Sequence, residues 1–268
     1  MKSSVTISLV KSLKGAGVFG DDLSVSIPLA KKIGFDAVEL FPSSADDIDA
    51  ELLHRLLDDN QINLSALATG AGKILHNLTL TSPDKTIRAK AIDFVKRIID
   101  VGSFFKAPAI IGSMQGNIGK NNRQGTLARF ARTLNELGRY AAGRNVELLF
   151  EPLNHHSTDV ANTLADGVEI IKKTGSDNVK LLADFFHMDI EKENIAESIK
   201  QAAEFIAYVH FVDSNRKPAG MGHIDLRSAV NALKYIDYDG FLSAEALPLP
   251  NSQSAAEQTI KTFRLLCM

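Results

Sequence analysis

The sequence predicts a single (β/α)₈ TIM barrel over residues 1–268, and three observations support this α/β fold class. Eight short aliphatic runs alternate with segments of helical periodicity, which is the pattern of parallel sheets built from βαβ units. Eight such units would contain about 33 residues each, a size typical of this architecture. No change of composition, proline-rich linker or block of charge divides the chain. An open, doubly wound sheet with an extra edge strand is the alternative.

The predicted strands are runs of four or five residues that are rich in aliphatic and β-branched side chains. Their length favours buried strands over helices. In chain order they cover residues 5–9, 37–40, 64–68, 109–112, 146–150, 180–183, 208–212 and 241–244.

The predicted helices lie between these runs, where apolar residues recur at i, i+3 and i+4, as at positions 127, 130, 131 and 134. Ser82 and Pro83 predict a helix start, with serine as the N-cap and proline at the first helical position. Four glycines follow helical patterns and are expected to end helices in the left-handed conformation. These are Gly34, Gly102, Gly143 and Gly175.

Charge and cysteine content narrow the range of partners. Thirty Lys and Arg residues against 32 Asp and Glu give a net charge of −2, so no basic field for nucleic acid is expected. The single Cys267 allows neither an intramolecular disulfide nor a cysteine zinc cage, which suits a reducing compartment. The N-terminus lacks the apolar run of a signal peptide, and no stretch approaches 18 apolar residues. We therefore expect a cytoplasmic protein without a membrane partner.

Four successive predicted strands end in ionisable residues. Glu151 occurs in VELLFEP, Asp184 in KLLADFF, His210 in YVHFVD and Glu245 in FLSAEAL. The C-terminal ends of barrel strands converge on one mouth, so these four side chains are expected to meet. A buried carboxylate is costly unless it is paired or coordinates a metal ion. Three carboxylates and one imidazole therefore predict a cation at this point.

Three oxygen ligands and one nitrogen ligand suit a hard or borderline divalent ion. Mn²⁺ is the first expectation, Mg²⁺ and Co²⁺ are alternatives, and Zn²⁺ stays open. A second interpretation needs no metal ion. In it, the four groups form salt bridges with one another and with Arg216, or they cap helices.

Further candidate site residues lie close to these ligands in sequence. His187 follows Asp184 by three residues, and Arg216 follows His210 by six. His187 shares a strand end with a predicted ligand, which favours a functional role for it.

Single polar residues elsewhere are harder to interpret. Glu39 ends the second strand, where it could support a ligand, contact substrate or cap a helix. His155, His156 and His223, each taken alone, are more typical of structural groups than of functional ones.

Five segments carry a resemblance to a known family: EPLN at 151–154, DFFHM at 184–188, HFVDSNR at 210–216, GHID at 222–225 and SAE at 243–245. They resemble the sugar phosphate isomerase/epimerase family of xylose isomerase-like barrels. The ketose 3-epimerases, of the D-tagatose and D-psicose 3-epimerase type, are the branch to which the sequence is most similar. The likeness runs through nearly the whole chain and is densest after residue 151.

The resemblance implies an isomerase that epimerises a ketose at C3 through a metal-stabilised enediolate. In the resembling enzymes the residues matching the four strand-end residues hold one metal ion, and those matching Glu151 and Glu245 also serve as acid and base. Two carboxylates are needed because the proton must return to the opposite face of the carbon. Residues matching His187 and Arg216 contact substrate oxygens. The family also implies a homodimer or homotetramer.

The sequence departs from the family where many epimerases have an aromatic residue followed by a glutamate that contacts substrate. This chain has HHS there, with Ser157 at the place of the glutamate. We therefore expect that His155 or His156 holds the terminal hydroxyl of the sugar, or that the substrate is of another kind. Ser157, His223 and Glu39 are counted as further candidate substrate contacts.

Several other functions are compatible with the same scaffold. An aldose–ketose isomerase, or a dehydratase of inosose-like or dehydroshikimate-like keto-polyols, would use the same enediolate. An apurinic endonuclease would need additional histidines after strands three and four, which read ALATGAG and IIGSMQG. A non-catalytic sugar-binding barrel would not need both glutamates. A free ketose is favoured because Arg216 already has a role in the resembling enzymes, although Arg216 and Lys217 leave a sugar phosphate open.

Overall fold

The computed structural model describes residues 1–10, 17–20 and 22–268. Eight parallel strands, each paired with the next in sequence and the last with the first, close into a barrel. The strands are β1 (Lys2–Ser8), β2 (Ala37–Phe41), β3 (Asn63–Ala68), β4 (Ala109–Ile111), β5 (Leu148–Phe150), β6 (Val179–Asp184), β7 (Ile206–His210) and β8 (Phe241–Ala244). The predicted fold class is confirmed, and the closed barrel replaces the open-sheet alternative.

Helices cover the outside of the barrel because its strands are apolar on the outer face as well. They are α1 (Leu23–Ile33), α2 (Ala50–Asn60), α3 (Ala71–His76), α4 (Lys85–Phe104), α5 (Arg123–Ala142), α6 (Leu164–Thr174), α7 (Phe185–Ile190), α8 (Ile195–Gln201), α9 (Leu226–Tyr235) and α10 (Ser252–Cys267). Three residues of the predicted apolar stripe in α5 are buried and the fourth, Leu127, is half-buried. The ring of Phe130 packs edge-on against that of Phe150 in β5, with centroids 5.5 Å apart. Contacts of this kind fix the strand ends from outside.

The interior of the barrel contains a polar series as well as apolar side chains. Ser4 Oγ lies 2.7 Å from Ser65 Oγ, and Ser65 Oγ lies 2.7 Å from the Tyr208 hydroxyl. Tyr208 donates to Glu39 Oε2 over 2.9 Å. All four side chains are buried. A buried polar group is costly without a partner, so this series specifies how the interior packs below the mouth.

Of the four glycines predicted to end helices in the left-handed conformation, two are confirmed and two are wrong. Gly34 and Gly175 end α1 and α6 in the left-handed region, with φ of 109° and 66°. Gly143 ends α5 in a right-handed conformation, with φ of −64°. Gly102 lies inside α4, where its missing side chain lets the backbone of Ala107 pack against the helix.

The start of α4 differs from the prediction by two residues. Asp84 is the N-cap, and its side chain accepts from the N–H groups of Thr86 and Ile87. The Ser82 hydroxyl instead accepts from the N–H of Asp84. An aspartate at this point satisfies two free helical N–H groups, which explains why it displaces the predicted serine cap.

Among the residues that the structure describes, no helix combines the length and the apolar character that are needed to cross a bilayer.

Candidate metal centre

Four ionisable side chains converge at the C-terminal mouth of the barrel. Glu151 directly follows β5, Asp184 and His210 end β6 and β7, and Glu245 directly follows β8. One potential ligand atom from each of them lies within 4.8 Å of the others. All four residues are buried. The four residues that the sequence singled out at successive strand ends therefore form one cluster.

The geometry around His210 Nδ1 indicates a cation. This single nitrogen lies 3.1 Å from Asp184 Oδ2, 3.1 Å from Glu245 Oε2 and 3.3 Å from Glu151 Oε1. A ring nitrogen carries at most one hydrogen, so it cannot donate to three carboxylates. Glu151 Oε1 accordingly has no hydrogen-bond partner among the described residues. Three carboxylate oxygens and one imidazole nitrogen are a suitable donor set for a divalent ion such as Mn²⁺ or Mg²⁺.

The contact of the second ring nitrogen of His210 determines which nitrogen carries the hydrogen. His210 Nε2 lies 3.3 Å from Glu39 Oε1, whose second carboxylate oxygen accepts from Tyr208. A carboxylate behind a histidine favours the tautomer with the hydrogen on the nitrogen that faces it. Nδ1 is then left as a lone-pair donor in the cluster. Glu39 thus lies behind His210 and holds its ring. The sequence did not point to Tyr208, the partner of Glu39, because this residue occupies an ordinary core position in β7.

The two carboxylate oxygens of Asp184 make different contacts, one with the start of α7 and one with the cluster. Its Oδ1 accepts from the N–H groups of Phe186 (2.8 Å) and His187 (3.2 Å) at the start of α7. Its Oδ2 faces His210. The helix-cap interpretation and the ligand interpretation of this residue are therefore both compatible with the same geometry.

Arg216 supplies positive charge at the edge of the cluster. It donates to Glu245 Oε2 over 2.7 Å and approaches Asp184 Oδ2 at 3.6 Å, while its guanidinium lies over the ring of Phe186. Asn215 and Arg216 both adopt left-handed backbone conformations, with φ of 56° and 53°. Strained backbone of this kind is often found where a side chain must point into a site.

His187 bridges Arg216 and the loop after β5. Its Nδ1 lies 2.7 Å from Asn154 Nδ2 and 3.2 Å from the backbone nitrogen of Asn154, and its Nε2 lies 3.0 Å from Arg216 Nη2. Burial lowers the pKa of His187 to about 4, so the ring is neutral at pH 7. The sequence did not point to Asn154, although it belongs to the EPLN segment.

The carboxylates respond differently to burial. Burial raises the pKa of Glu151 to about 7, and the negative charges of Glu245 and Asp184 add to this effect. Burial also opposes ionisation of Glu245, but Arg216 and His210 lower its pKa below the usual value. A buried carboxylate of this cluster is therefore stabilised in its charged form only where a positive charge lies next to it, as Arg216 does for Glu245.

A cavity of about 520 Å³ opens above the cluster. This volume lies within the range typical of small-molecule sites. The residues that line it are Glu39, Phe41, Ala68, Thr69, Gly70, Lys73, Ile74, Asn77, Ile110, Gly112, Ser113, Glu151, Leu153, His156, Ser157, His187, His210, Arg216 and Glu245.

The cavity brings together five of the seven candidate substrate contacts, which are Glu39, His156, Ser157, His187 and Arg216. The other two are not among the lining residues. The His155 ring pairs with Glu191 Oε1 over 2.6 Å, and the His223 ring pairs with Asp189 Oδ1 over 3.1 Å on an exposed surface.

Lys73 is a lining residue that sequence reasoning missed. It lies in α3, in the segment TGAGK that follows β3. A lysine on a short helix is usually a surface residue, and only the closed barrel shows that this one faces the cavity.

A family model described as "Xylose isomerase-like TIM barrel" matches residues 27–266. The chain belongs to the xylose isomerase-like TIM barrel family. This confirms the family that the sequence motifs predicted.

The relatives of this family member are named as sugar epimerases. The D-psicose 3-epimerase of Agrobacterium fabrum is 29% identical over 241 residues, which cover 87% of this chain and 81% of the relative. The L-ribulose 3-epimerase of Methylomonas sp. is 29% identical over 227 residues, which cover 81% of this chain and 76% of the relative. These names agree with the predicted enzyme class, the isomerases that act on carbohydrates.

The fold is shared with solved structures as well. A structure of L-ribulose 3-epimerase matches with a TM-score of 0.84 and 23% identity, over 98% of this chain and 93% of that chain. At 23% identity this likeness shows a shared fold, whereas the chemistry of this chain must be argued from the residues of its own site.

The substitution Gly112→Ala tests whether Glu151 needs the space beside it. A Cβ at position 112 would collide with Glu151 Oε2. We expect Mn²⁺ affinity, measured by titration calorimetry, to fall about 10–100-fold. Gly143→Ala is the matched control, since its Cβ would lie 3.6 Å from the nearest atom, Tyr140 O. Equal Mn²⁺ affinity in the two variants would contradict the assignment of Glu151 to the metal centre.

The substitution Glu39→Gln tests the role of the carboxylate behind His210. Loss of its charge makes Nδ1 a weaker donor, so Mn²⁺ affinity should fall about tenfold or more. The exposed Glu51→Gln in α2 is the control. Unchanged affinity with a raised KM would instead assign Glu39 to substrate binding, which is one of the roles that the sequence left open.

Proposed function

We propose that this chain is a divalent-metal-dependent epimerase that inverts a ketose at C3, with Glu151 and Glu245 as the acid/base pair. One observation carries the proposal: two glutamate carboxylates lie within 3.3 Å of the same imidazole nitrogen in a cavity of small-molecule size. The names of the relatives support the same reaction class.

The reaction requires removal of a proton from a carbon next to a carbonyl group. This proton is weakly acidic, because negative charge develops on the neighbouring oxygens as it leaves. A divalent cation among Glu151, Asp184, His210 and Glu245 would supply positive charge next to those oxygens. We expect Mn²⁺ first, with Mg²⁺, Co²⁺ and Zn²⁺ as alternatives.

Glu151 and Glu245 suit the two proton transfers because of where the barrel places them. They follow β5 and β8, which are separated by β6 and β7, so they approach the centre from different strands. One glutamate takes the proton from C3, and the other returns a proton to the opposite face. The handedness of the substrate decides which of them acts first.

The remaining polar residues position the substrate in this proposal. Neutral His187 and cationic Arg216 face the cavity next to the cluster and can bind substrate oxygens. Ser157 lies further along the cavity and offers a hydroxyl group. His155 and His223 pair with carboxylates away from the lining residues, so we assign them no substrate contact.

The substrate in this proposal is a small sugar molecule. We also keep the expectation of a homodimer or homotetramer, which follows from the family resemblance. The nuclease alternative has no support at the mouth, because no histidine is among the described residues that line the cavity between β3 and α5. These residues are Thr69, Gly70, Lys73, Ile74, Asn77, Ile110, Gly112 and Ser113.

Hydrogen exchange in deuterated water tests the reaction. Mn²⁺-loaded protein should incorporate deuterium at C3 of a ketose and form the C3 epimer, observed by NMR. Glu151→Gln and Glu245→Gln should each lower turnover at least about 10²–10⁴-fold, the usual contribution of a general acid or base.

The controls separate acid/base chemistry from loss of metal. Metal content is measured for each variant, and the exposed Glu169→Gln serves as the matched control. Near-normal turnover in either active-site variant would refute the proposed role of that glutamate. Exchange at C1 with aldose formation would indicate an isomerase, and elimination of water from a keto-polyol would indicate a dehydratase.

A further inference from the structure

Lys73 places a positive charge in the cavity, away from the metal centre. It lies in α3, and its partly buried side chain lines the same cavity as Glu151, His210 and Glu245. One small molecule can therefore contact both the cluster and the lysine.

The ammonium group of Lys73 has no counter-charge among the described residues. Its one hydrogen bond among the described residues is to the backbone oxygen of Ser157, at 3.5 Å, and no described carboxylate lies within 4.0 Å of its Nζ. Arg216, by contrast, pairs with Glu245 over 2.7 Å. Burial lowers the pKa of Lys73, because the ammonium group has lost water without gaining an anion.

The glutamates of the cavity are already engaged and do not neutralise this lysine. Glu39 binds Tyr208 and faces His210, while Glu151 and Glu245 face His210 in the cluster. The cavity thus combines a buried acidic end with a partly exposed end whose charge is positive.

A series of side chains joins the two ends. Ser157 Oγ lies 3.5 Å from Asn154 Oδ1, and Asn154 Nδ2 lies 2.7 Å from His187 Nδ1. His187 Nε2 in turn lies 4.0 Å from Glu151 Oε1. A substrate that is bound at the cluster and extends along this wall reaches Ser157 and Lys73 with its far end.

We propose that the substrate carries an anionic group, a carboxylate or a phosphate, at the end of its carbon chain remote from the cluster, and that Lys73 binds this group. The inference rests on the proposed function and specifies its substrate class. It replaces the expectation of a neutral ketose, which followed from the family resemblance and from the role of Arg216. An ion pair in a partly buried site gains more than one in open water, so it can set specificity.

Matched substrates test the inference and distinguish the two anions. C3 exchange is measured with D-fructose, D-fructose 6-phosphate and D-fructuronate, the last bearing a carboxylate at C6. We expect kcat/KM to be at least about tenfold higher for one of the anions than for D-fructose. Lys73→Met should lower kcat/KM for that anion about 10–100-fold, mainly through KM, as expected for a charged hydrogen bond.

Two further variants control for charge and for folding. Lys73→Arg keeps a cation and should recover part of the preference for the anion. Lys261→Met removes an exposed lysine of α10 and should leave the ratio between anionic and neutral substrates unchanged. A thermal melt of each variant checks that it is folded.

Binding of unreactive compounds separates this inference from the proposed reaction. D-glucitol, D-glucitol 6-phosphate and D-gluconate have no ketone, so their affinity for the Mn²⁺-loaded protein does not depend on turnover. At least tenfold tighter binding of an anion, lost in Lys73→Met, supports the inference even if no ketose exchanges hydrogen, in which case the proposed function fails alone. Exchange of D-fructose without preferential binding of either anion overturns the inference and leaves the proposed function intact.

Discussion

Three carboxylates around one imidazole nitrogen are the constraint on which the rest of this site depends. Glu151, Asp184 and Glu245 are buried together, and each alone would protonate or seek a partner, because charge is costly in a low-dielectric site. Arg216 and one histidine hydrogen cannot satisfy all of them. A divalent ion would satisfy them, and such an ion is also what the proposed enolate-type chemistry requires beside a ketone.

Neighbouring groups hold the clustered side chains in their positions. The series from Ser4 through Tyr208 to Glu39 fixes the ring of His210 from below. Gly112 leaves the space that Glu151 occupies, and the start of α7 takes one oxygen of Asp184. Three of the four candidate ligands, His210, Glu151 and Asp184, are thus oriented by neighbouring groups, and contacts of this kind raise the affinity of metal sites.

The sequence predicted the barrel and the four clustered residues because the C-terminal ends of all strands in a parallel barrel lie around one mouth. An ionisable residue at the end of an apolar strand is therefore informative without any loop geometry. Loop residues lack this property, since their directions depend on tertiary packing. His155 and His223 pair with carboxylates outside the cavity, whereas Lys73, on a short helix, lines it. Tyr208 resembled a core residue because its polar partners come from other strands.

Anomalous diffraction from crystals grown with Mn²⁺ would show whether these four residues hold a metal ion. We expect one strong peak per chain at bonding distance from Glu151, Asp184, His210 and Glu245. No peak in this cluster, in crystals that show Mn²⁺ bound elsewhere on the chain, would contradict it. The four residues would then be a buried network of ion pairs, and the proposed metal-dependent epimerisation would lose its basis.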